Sequence, residues 1–354
     1  MSNGTGMVMQ NPTRTAPAIE HGRVAVVIVN YRTADLAVDC LRSLAPEIEQ
    51  IPGAEVVVVD NASGDQSAEQ IQAAVEQSGW TWAQVCEADR NGGFAAGNNV
   101  ALRQLLASDD PPEYILLLNP DTIVRERAVL ELAEFLAATP VAGIVGSSME
   151  DASGKERQAA HRTPSLWTEF AFAARLGLLT RLLGDRADEI PLPRRPIRCD
   201  WVSGACMMVR REVFERIGLI DEGFFLYYEE VDFCQRARQA GWEVWCVPDA
   251  RVVHIEGAAT GIRRKSRLGQ YWFSSRRRFF VRYHGILMLC LTDLLWALAR
   301  LSLALRHALY LGGGRADGPE LFLRDLLWSD AKALLTGELF RIHREASSDH
   351  GEPE

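Results

Sequence analysis

The run Ile115-Leu116-Leu117-Leu118-Asn119-Pro120-Asp121 constrains the fold of this chain more than any other stretch. Four apolar residues stop abruptly at a turn and a carboxylate. A short apolar run bounded in this way predicts a strand buried on both faces. Two earlier runs end alike, Val24 to Val29 at Asn30-Tyr31 and Val56 to Val59 at Asp60-Asn61. Between them, Leu36, Cys40, Leu41 and Leu44 predict a helix over 35–45. Further helices are expected near 67–77, 98–107 and 126–138, and strands at 143–147, 201–209, 242–247 and 251–254. Strand and helix alternating at this spacing predicts βαβ units and an α/β fold on a mainly parallel sheet. Ligands gather at the carboxyl ends of such strands, where Asp60 and Asp121 stand.

The length of 354 residues suits one large domain or two, and the net charge of −9 argues against a nucleic-acid partner. Seven scattered cysteines, with no CxxC pair, argue for a reducing compartment and against a zinc site. Residues 1–23 are polar and lack an apolar h-region, so a disordered tail without a signal peptide is expected.

Each candidate site residue has a plain structural reading beside a functional one. Asp121 either caps the next helix or holds a hard cation, Mg2+ or Mn2+, shared with phosphate oxygens. Asp60 either caps a helix or accepts hydrogen bonds from a ribose or base. Three glycines in 91–99 either turn the chain or admit a ligand close to the backbone, and the pattern is not GxGxxG. The segment 221–233 places aromatics before Glu229, Glu230 and Asp232. On a helix, Asp232 pairs with Arg236 at i, i+4 while Glu230 points elsewhere. Crowded acids beside aromatics acquire raised pKa values, which suits a general base, although acids also simply complement a helix N-terminus. His254 ends a strand and is either structural or a neutral imidazole ligand.

Taken together, Val27-Ile28-Val29-Asn30-Tyr31, Val58-Val59-Asp60-Asn61-Ala62-Ser63, the 91–99 loop, Leu118-Asn119-Pro120-Asp121, Val202-Ser203-Gly204-Ala205 and the 224–232 stretch resemble the family 2 glycosyltransferases of GT-A fold, in their rhamnosyltransferase-like branch. The resemblance covers roughly residues 24–260. It implies an inverting, metal-dependent transfer of a sugar from a nucleotide-sugar donor, dTDP- or UDP-linked and most simply dTDP-rhamnose. The acceptor would be a glycan or lipid-linked hydroxyl in cell-surface polysaccharide assembly. It implies that Asn30, Tyr31, Asp60 and Asn61 hold the nucleoside and that Gly93, Phe94, Asn98 and Gly204 lie against the nucleotide sugar. Asn119 and Asp121 would stand in place of an Asp-x-Asp motif, with Asp121 and His254 on the cation. Glu230 aligns with the base, with Glu229 and Asp232 as the other candidates. No Ser/His or Cys/His nucleophile is evident, in keeping with a single displacement.

The domain expectation is a GT-A catalytic domain over 24–262, with 151–200 as an insertion or flap, a helical region over 263–343 and a tail over 344–354. The segment 262–284 holds eight Lys or Arg and no acid, interleaved with aromatics, and the apolar run after it falls short of a bilayer span. Helices lying in the membrane interface, anchored by those arginines and aromatics, are expected, against a plain helical cap or oligomer interface. That would place the protein in the cytoplasm, at the inner face of the cell membrane. Two competing readings are a nucleotidyltransferase, disfavoured because Asn30-Tyr31-Arg32-Thr33 lacks a Gly-rich loop, and a non-catalytic nucleotide-sugar-binding subunit.

Overall fold

A computed structural model describes residues 23–174, 190, 192–255, 267–309 and 321–349. In chain order the first elements are β1 (Val24–Asn30), α1 (Ala34–Ile48), β2 (Glu55–Asp60), α2 (Ser67–Ser78), β3 (Ala83–Glu87), α3 (Gly93–Leu106), β4 (Tyr114–Leu118), β5 (Thr122–Val124), α4 (Ala128–Ala138) and β6 (Ala142–Glu150). Then come β7 (Glu156–Arg157), β8 (Ala160–His161), α5 (Leu166–Ala174), β9 (Ile197–Cys199), β10 (Trp201–Val202), β11 (Cys206–Arg210), α6 (Arg211–Ile217), α7 (Glu229–Gln239) and β12 (Glu243–His254). The chain ends in α8 (Gln270–Ala308), α9 (Phe322–Leu335) and α10 (Glu338–Asp349).

The main sheet runs β3-β2-β1-β4-β11-β6-β12-β5. It is parallel through β3-β2-β1-β4 and between β6 and β12, and antiparallel where β11 and β5 enter. The central strands are apolar because helices cover both faces; every residue of β1 and β4 is buried. Register then decides where the polar strand ends fall. Asn30 pairs with Asp60 and Ile28 with Leu118, so the turn after β4 lies beside the turns after β1 and β2. β11 runs back along β4 with Cys206 opposite Leu118, which brings Ser203-Gly204-Ala205 to the same edge, and Asn119 N donates to Ala205 O at 3.0 Å. β12 pairs with β5 through His254 and Thr122.

Several expected boundaries shift. The expected strand 201–209 is two strands parted by the 203–205 turn, and 242–254 is one strand with a register shift between Val247 and Arg251. The helix expected at 98–107 starts at Gly93, so the glycine loop is its first turn. Gly93 has φ +86°, and a Cβ there would lie 1.9 Å from Phe225 O, which only glycine avoids. The expected tail is ordered helix as far as Asp349, with Ala346 buried. The described part of 151–200 packs α5 against α8 through Glu169, which accepts from Arg276 Nε (3.0 Å) and Trp296 Nε1 (2.7 Å). Residues 1–22, the remainder of that insertion and 256–266 lie outside the described residues.

The basic stretch turns inward. Arg276 and Arg277 are buried, as are Phe273, Phe279 and Phe280. Arg276 faces Glu169, Asp293 and Asp330, and Arg277 faces Asp330 and Glu338. Burial works against the Arg276 charge, but Glu169 and Asp293 outweigh it and raise its pKa above the ordinary guanidinium value. These arginines and aromatics are therefore not membrane anchors. Their acidic partners lie 17 to 107 positions away in the chain, beyond any local reading of charge. The C-terminal helices also share a core with the 224–231 segment, joining Phe224, Tyr228 and Val231 to Phe279, Leu289 and Leu339.

Candidate active site

The edge described above gathers most of the singled-out residues. Asp121 is buried, and its Oδ1 lies 3.3 Å from His254 Nε2; Asn119 Nδ2 lies 3.4 Å from the same nitrogen. The pair is held by backbone: Ile255 N donates to Asp121 O (2.9 Å) and Thr122 Oγ1 to Asn119 O (2.7 Å). Two ligand atoms bound to one cation at about 2.1 Å each stand about 3 Å apart at right angles. The Asp121–His254 separation fits that arrangement, and a carboxylate with a neutral imidazole is a donor set that Mn2+ accepts. Among the described residues no third His, Cys, Asp or Glu joins them. Such a cation would take its remaining ligands from water and substrate phosphates, as hard divalent ions at phosphate sites do.

Asn30 and Asp60 organise the neighbouring loop. Asp60 accepts from Asn30 Nδ2 (2.8 Å), Ser63 Oγ (2.6 Å) and Ser63 N (2.9 Å), and Asn30 Oδ1 accepts from Thr33 Oγ1 (2.9 Å). Both side chains are buried, and three of roughly four acceptor directions on Asp60 are used. Asn30 thus props the loop from below rather than facing a ligand, whereas Tyr31 is exposed, with the Arg32 guanidinium 5.1 Å from its ring centre. Ser63 and Arg32 were missed by the sequence reading. Ser63 Oγ also accepts from Arg32 N (2.9 Å), so it ties the turns after β1 and β2 together. Asn61 Nδ2 donates to Gly93 O (3.0 Å), linking that loop to α3, while Asn98 is buried with Nδ2 donating to Phe94 O (2.9 Å).

The acids of α7 divide. Asp232 is fully buried and spoken for: Arg236 Nε donates to it at 2.8 Å, as expected from the i, i+4 spacing, and Tyr283 OH donates at 2.7 Å. It is a structural anchor between α7 and α8, which removes it as a base. Glu229 and Glu230 each keep a buried Oε2 with no hydrogen-bond partner among the described residues, although Glu230 as a whole is part-exposed. Burial pushes the Glu230 carboxyl up to about 7. Burial, and then the charge of Glu230, hold Glu229 well above its ordinary value.

What precedes α7 is strained. Tyr227 and Tyr228 adopt left-handed φ of +68° and +67° in succession, at a cost of about 1–2 kcal/mol each for non-glycine residues. The surroundings hold them there. Phe94 N donates to Phe225 O (2.7 Å), Ser275 Oγ to Leu226 O (3.0 Å), and Arg278 and Arg282 grip Asp221 at 3.0 and 2.7 Å. Burial works to raise the Asp221 carboxyl, and these arginines outweigh it, keeping it below its ordinary value. Backbone strain of this kind collects at functional sites. Gly204 faces the result: a Cβ there would stand 3.5 Å from Glu230 Cβ and 3.6 Å from Phe94 Cε1. Gly204, Phe94 and Glu230 are thus neighbours. The arrangement offers a near-neutral carboxyl for moving a proton and an Asp–His pair for a cation.

Comparison with known proteins places this site in context. A family model described as "Glycosyltransferase like family 2" matches residues 21–272. The N-acetylglucosaminyl-diphospho-decaprenol L-rhamnosyltransferase of Mycobacterium tuberculosis is 29% identical over 293 residues, covering 80% of this chain and 91% of that protein. A low-salt glycan biosynthesis hexosyltransferase of Haloferax volcanii is 30% identical over 216 residues, covering 61% of this chain and 62% of that one. Among solved structures, the mannosyltransferase PcManGT of Pyrobaculum calidifontis, in complex with GDP-Man and Mn2+, shares the fold with a TM-score of 0.52 at 17% identity, over 96% of this chain and 88% of that one.

Proposed function

The chain belongs to glycosyltransferase family 2, and on that premise we propose that it transfers rhamnose from dTDP-rhamnose, with inversion, to a hydroxyl of a lipid-linked glycan acceptor at the inner face of the cell membrane. The donor and acceptor readings draw on the Mycobacterium tuberculosis relative, named for both a rhamnosyl group and a diphospho-decaprenol. The observation that carries the mechanism is Glu230, whose buried Oε2 lacks a partner among the described residues and whose carboxyl is pushed up to about 7. A base poised near the working pH is the most effective one.

Glu230 takes the proton of the acceptor hydroxyl, and that oxygen forms the new bond to the anomeric carbon. The bond from that carbon to the nucleoside diphosphate breaks on the opposite face. The sugar would lie beside Glu230 against Gly204 and Phe94, and Asp60 with Tyr31 and Asn61 receives the nucleoside. Asp121 and His254 would hold a divalent cation, Mn2+ or Mg2+, which when bound offsets the charge gathering on the departing diphosphate. Asn119 orients the His254 ring. Burial and the neighbouring Glu230 charge raise the Glu229 pKa, which disfavours a second negative charge near the incoming hydroxyl.

A panel of dTDP-, UDP- and GDP-sugars, scored for nucleoside diphosphate release with Mn2+, with Mg2+ and after EDTA, tests the reading. Release from dTDP-rhamnose that requires the metal is expected. Metal-independent release untouched by Asp121→Ala would remove Asp121 and His254 from their role. Tight donor binding with no release on any acceptor would favour a binding subunit.

A further inference from the structure

We propose that the outer face of the second arm of α8, residues 286–308, is a lipid-docking surface that seats the protein on a bilayer through apolar contact rather than charge. The helix breaks at Gly285 (φ +81°, ψ +166°), so this arm sets its own direction. Its inner face buries Leu289, Trp296, Ala299 and Leu303, and carries Asp293 to Arg276 at 3.0 Å. Its outer face presents Leu287, Leu291, Leu294, Leu298, Leu301 and Leu305, each between 40% and 74% exposed. With 3.6 residues per turn, the outward arc from Ala304 round to Leu295 spans roughly 180° and runs about 30 Å along the axis. Every charged residue of the arm lies outside it. Beside it Phe172 of α5, also exposed, stands 6.0 Å from the Trp296 ring. An apolar surface this long and free of charge signals an interaction site.

The leucines alternate by four and three residues, which also fits a helix pairing with a second copy. The flanks decide against that. A paired soluble helix carries charges beside its seam to set partner and register. Here the flanks hold Met288, Leu295 and Ser302 on one side and Cys290, Ala297 and Ala304 on the other. A second helix would cover the seam and leave those flanks in water. Acyl chains have no register and would cover the whole arc. One helix among the described residues is long and apolar enough to cross a membrane, but its inner face is committed to α5 and α9 through Arg276 and Trp296, so it lies along the surface. Because no charged side chain lies within the arc, the contact itself draws nothing from anionic headgroups. The proposal extends the lipid-linked acceptor reading, but its surface argument stands on this helix alone.

The test is flotation of the full chain with neutral phosphatidylcholine vesicles and with vesicles containing phosphatidylglycerol, at low salt and at about 1 M NaCl, where charge attraction is screened. Binding to neutral vesicles, unchanged by salt, is expected. The double substitution Leu294→Glu with Leu298→Glu should lower it on the order of 100-fold. Binding confined to anionic vesicles and lost in salt would overturn the proposal, as would no binding at all. So would a dimer in sedimentation velocity that the double substitution turns into a monomer. The two-vesicle comparison on the unmodified chain decides even if the variant misfolds. Donor turnover measured on the same samples separates the two readings: an unmodified chain that turns over donor but binds neither vesicle overturns this surface and leaves the chemistry standing.

Discussion

The acids that open α7 and the arginines of α8 are both buried charges, and the protein treats them in opposite ways. Arg276 sits among Glu169, Asp293 and Asp330, with the ring centre of Phe280 4.9 Å away. Glu229 and Glu230 form no ion pair among the described residues, and their carboxyls rise in pKa. Matched charge fastens one part of the fold to another. Unmatched charge is held at a cost and is therefore available for chemistry. The two regions are one device, because Asp232 on α7 and Tyr283 on α8 join them, and the strained Tyr227-Tyr228 turn lies between.

The contrast can be broken in order of expected effect. Arg276→Ala leaves Asp293 without its ion pair and takes one partner each from Glu169 and Asp330, and should cost about 3–5 kcal/mol in chemical denaturation. A loss under about 1 kcal/mol would mean the cluster is a surface ornament. Asp121→Ala should lower turnover on the order of 10²–10³, the scale for removing one electrostatic element of transition-state stabilisation, while leaving the melting temperature nearly unchanged. Turnover should also follow Glu230 titration. Its raised carboxyl must be ionised to accept a proton, so the rate climbs about tenfold per pH unit below about 7 and levels above it. A profile flat from pH 5 to 8 would assign the base elsewhere. Smallest, Tyr283→Phe removes one hydrogen bond to Asp232 and should cost about 1–2 kcal/mol of stability. Its kcat should fall more than its KM changes, since α7 carries the base and not the donor site; equal loss in both would point to a general structural defect.

The strand ends were legible because their signals are local. An apolar run stopping at Asp60 or Asp121 names both the strand and its carboxyl edge, and the i, i+4 rule found Asp232 with Arg236. What register contributes was not legible. Nothing near Asp121 in the chain announces that β12 delivers His254 to within 3.3 Å, so that pairing came from His254's place at a strand end and from the family resemblance. Asn30 read as a nucleoside contact through the family resemblance; its burial follows from pairing with Asp60 on the next strand. The basic stretch misled for the same reason, since its partners come from α5, α9 and α10. The exposed leucines after Gly285 were visible as an apolar run, but which side they face depends on the buried Arg276–Asp293 pair.

The most direct test compares Glu230→Gln with the unmodified enzyme at pH 8, measuring melting temperature and turnover on the same samples. A carboxyl whose folded pKa lies above its unfolded value loses stability as pH rises from about 4.5 through about 7, so the full cost is present at pH 8. Replacing it with an amide should raise stability by about 1–2 kcal/mol, a figure kept low because the residue is part-exposed. Turnover should fall about 10²–10⁴-fold. A variant that melts lower and keeps its turnover would contradict the account, because Glu230 would then be another anchor like Asp232 rather than the base.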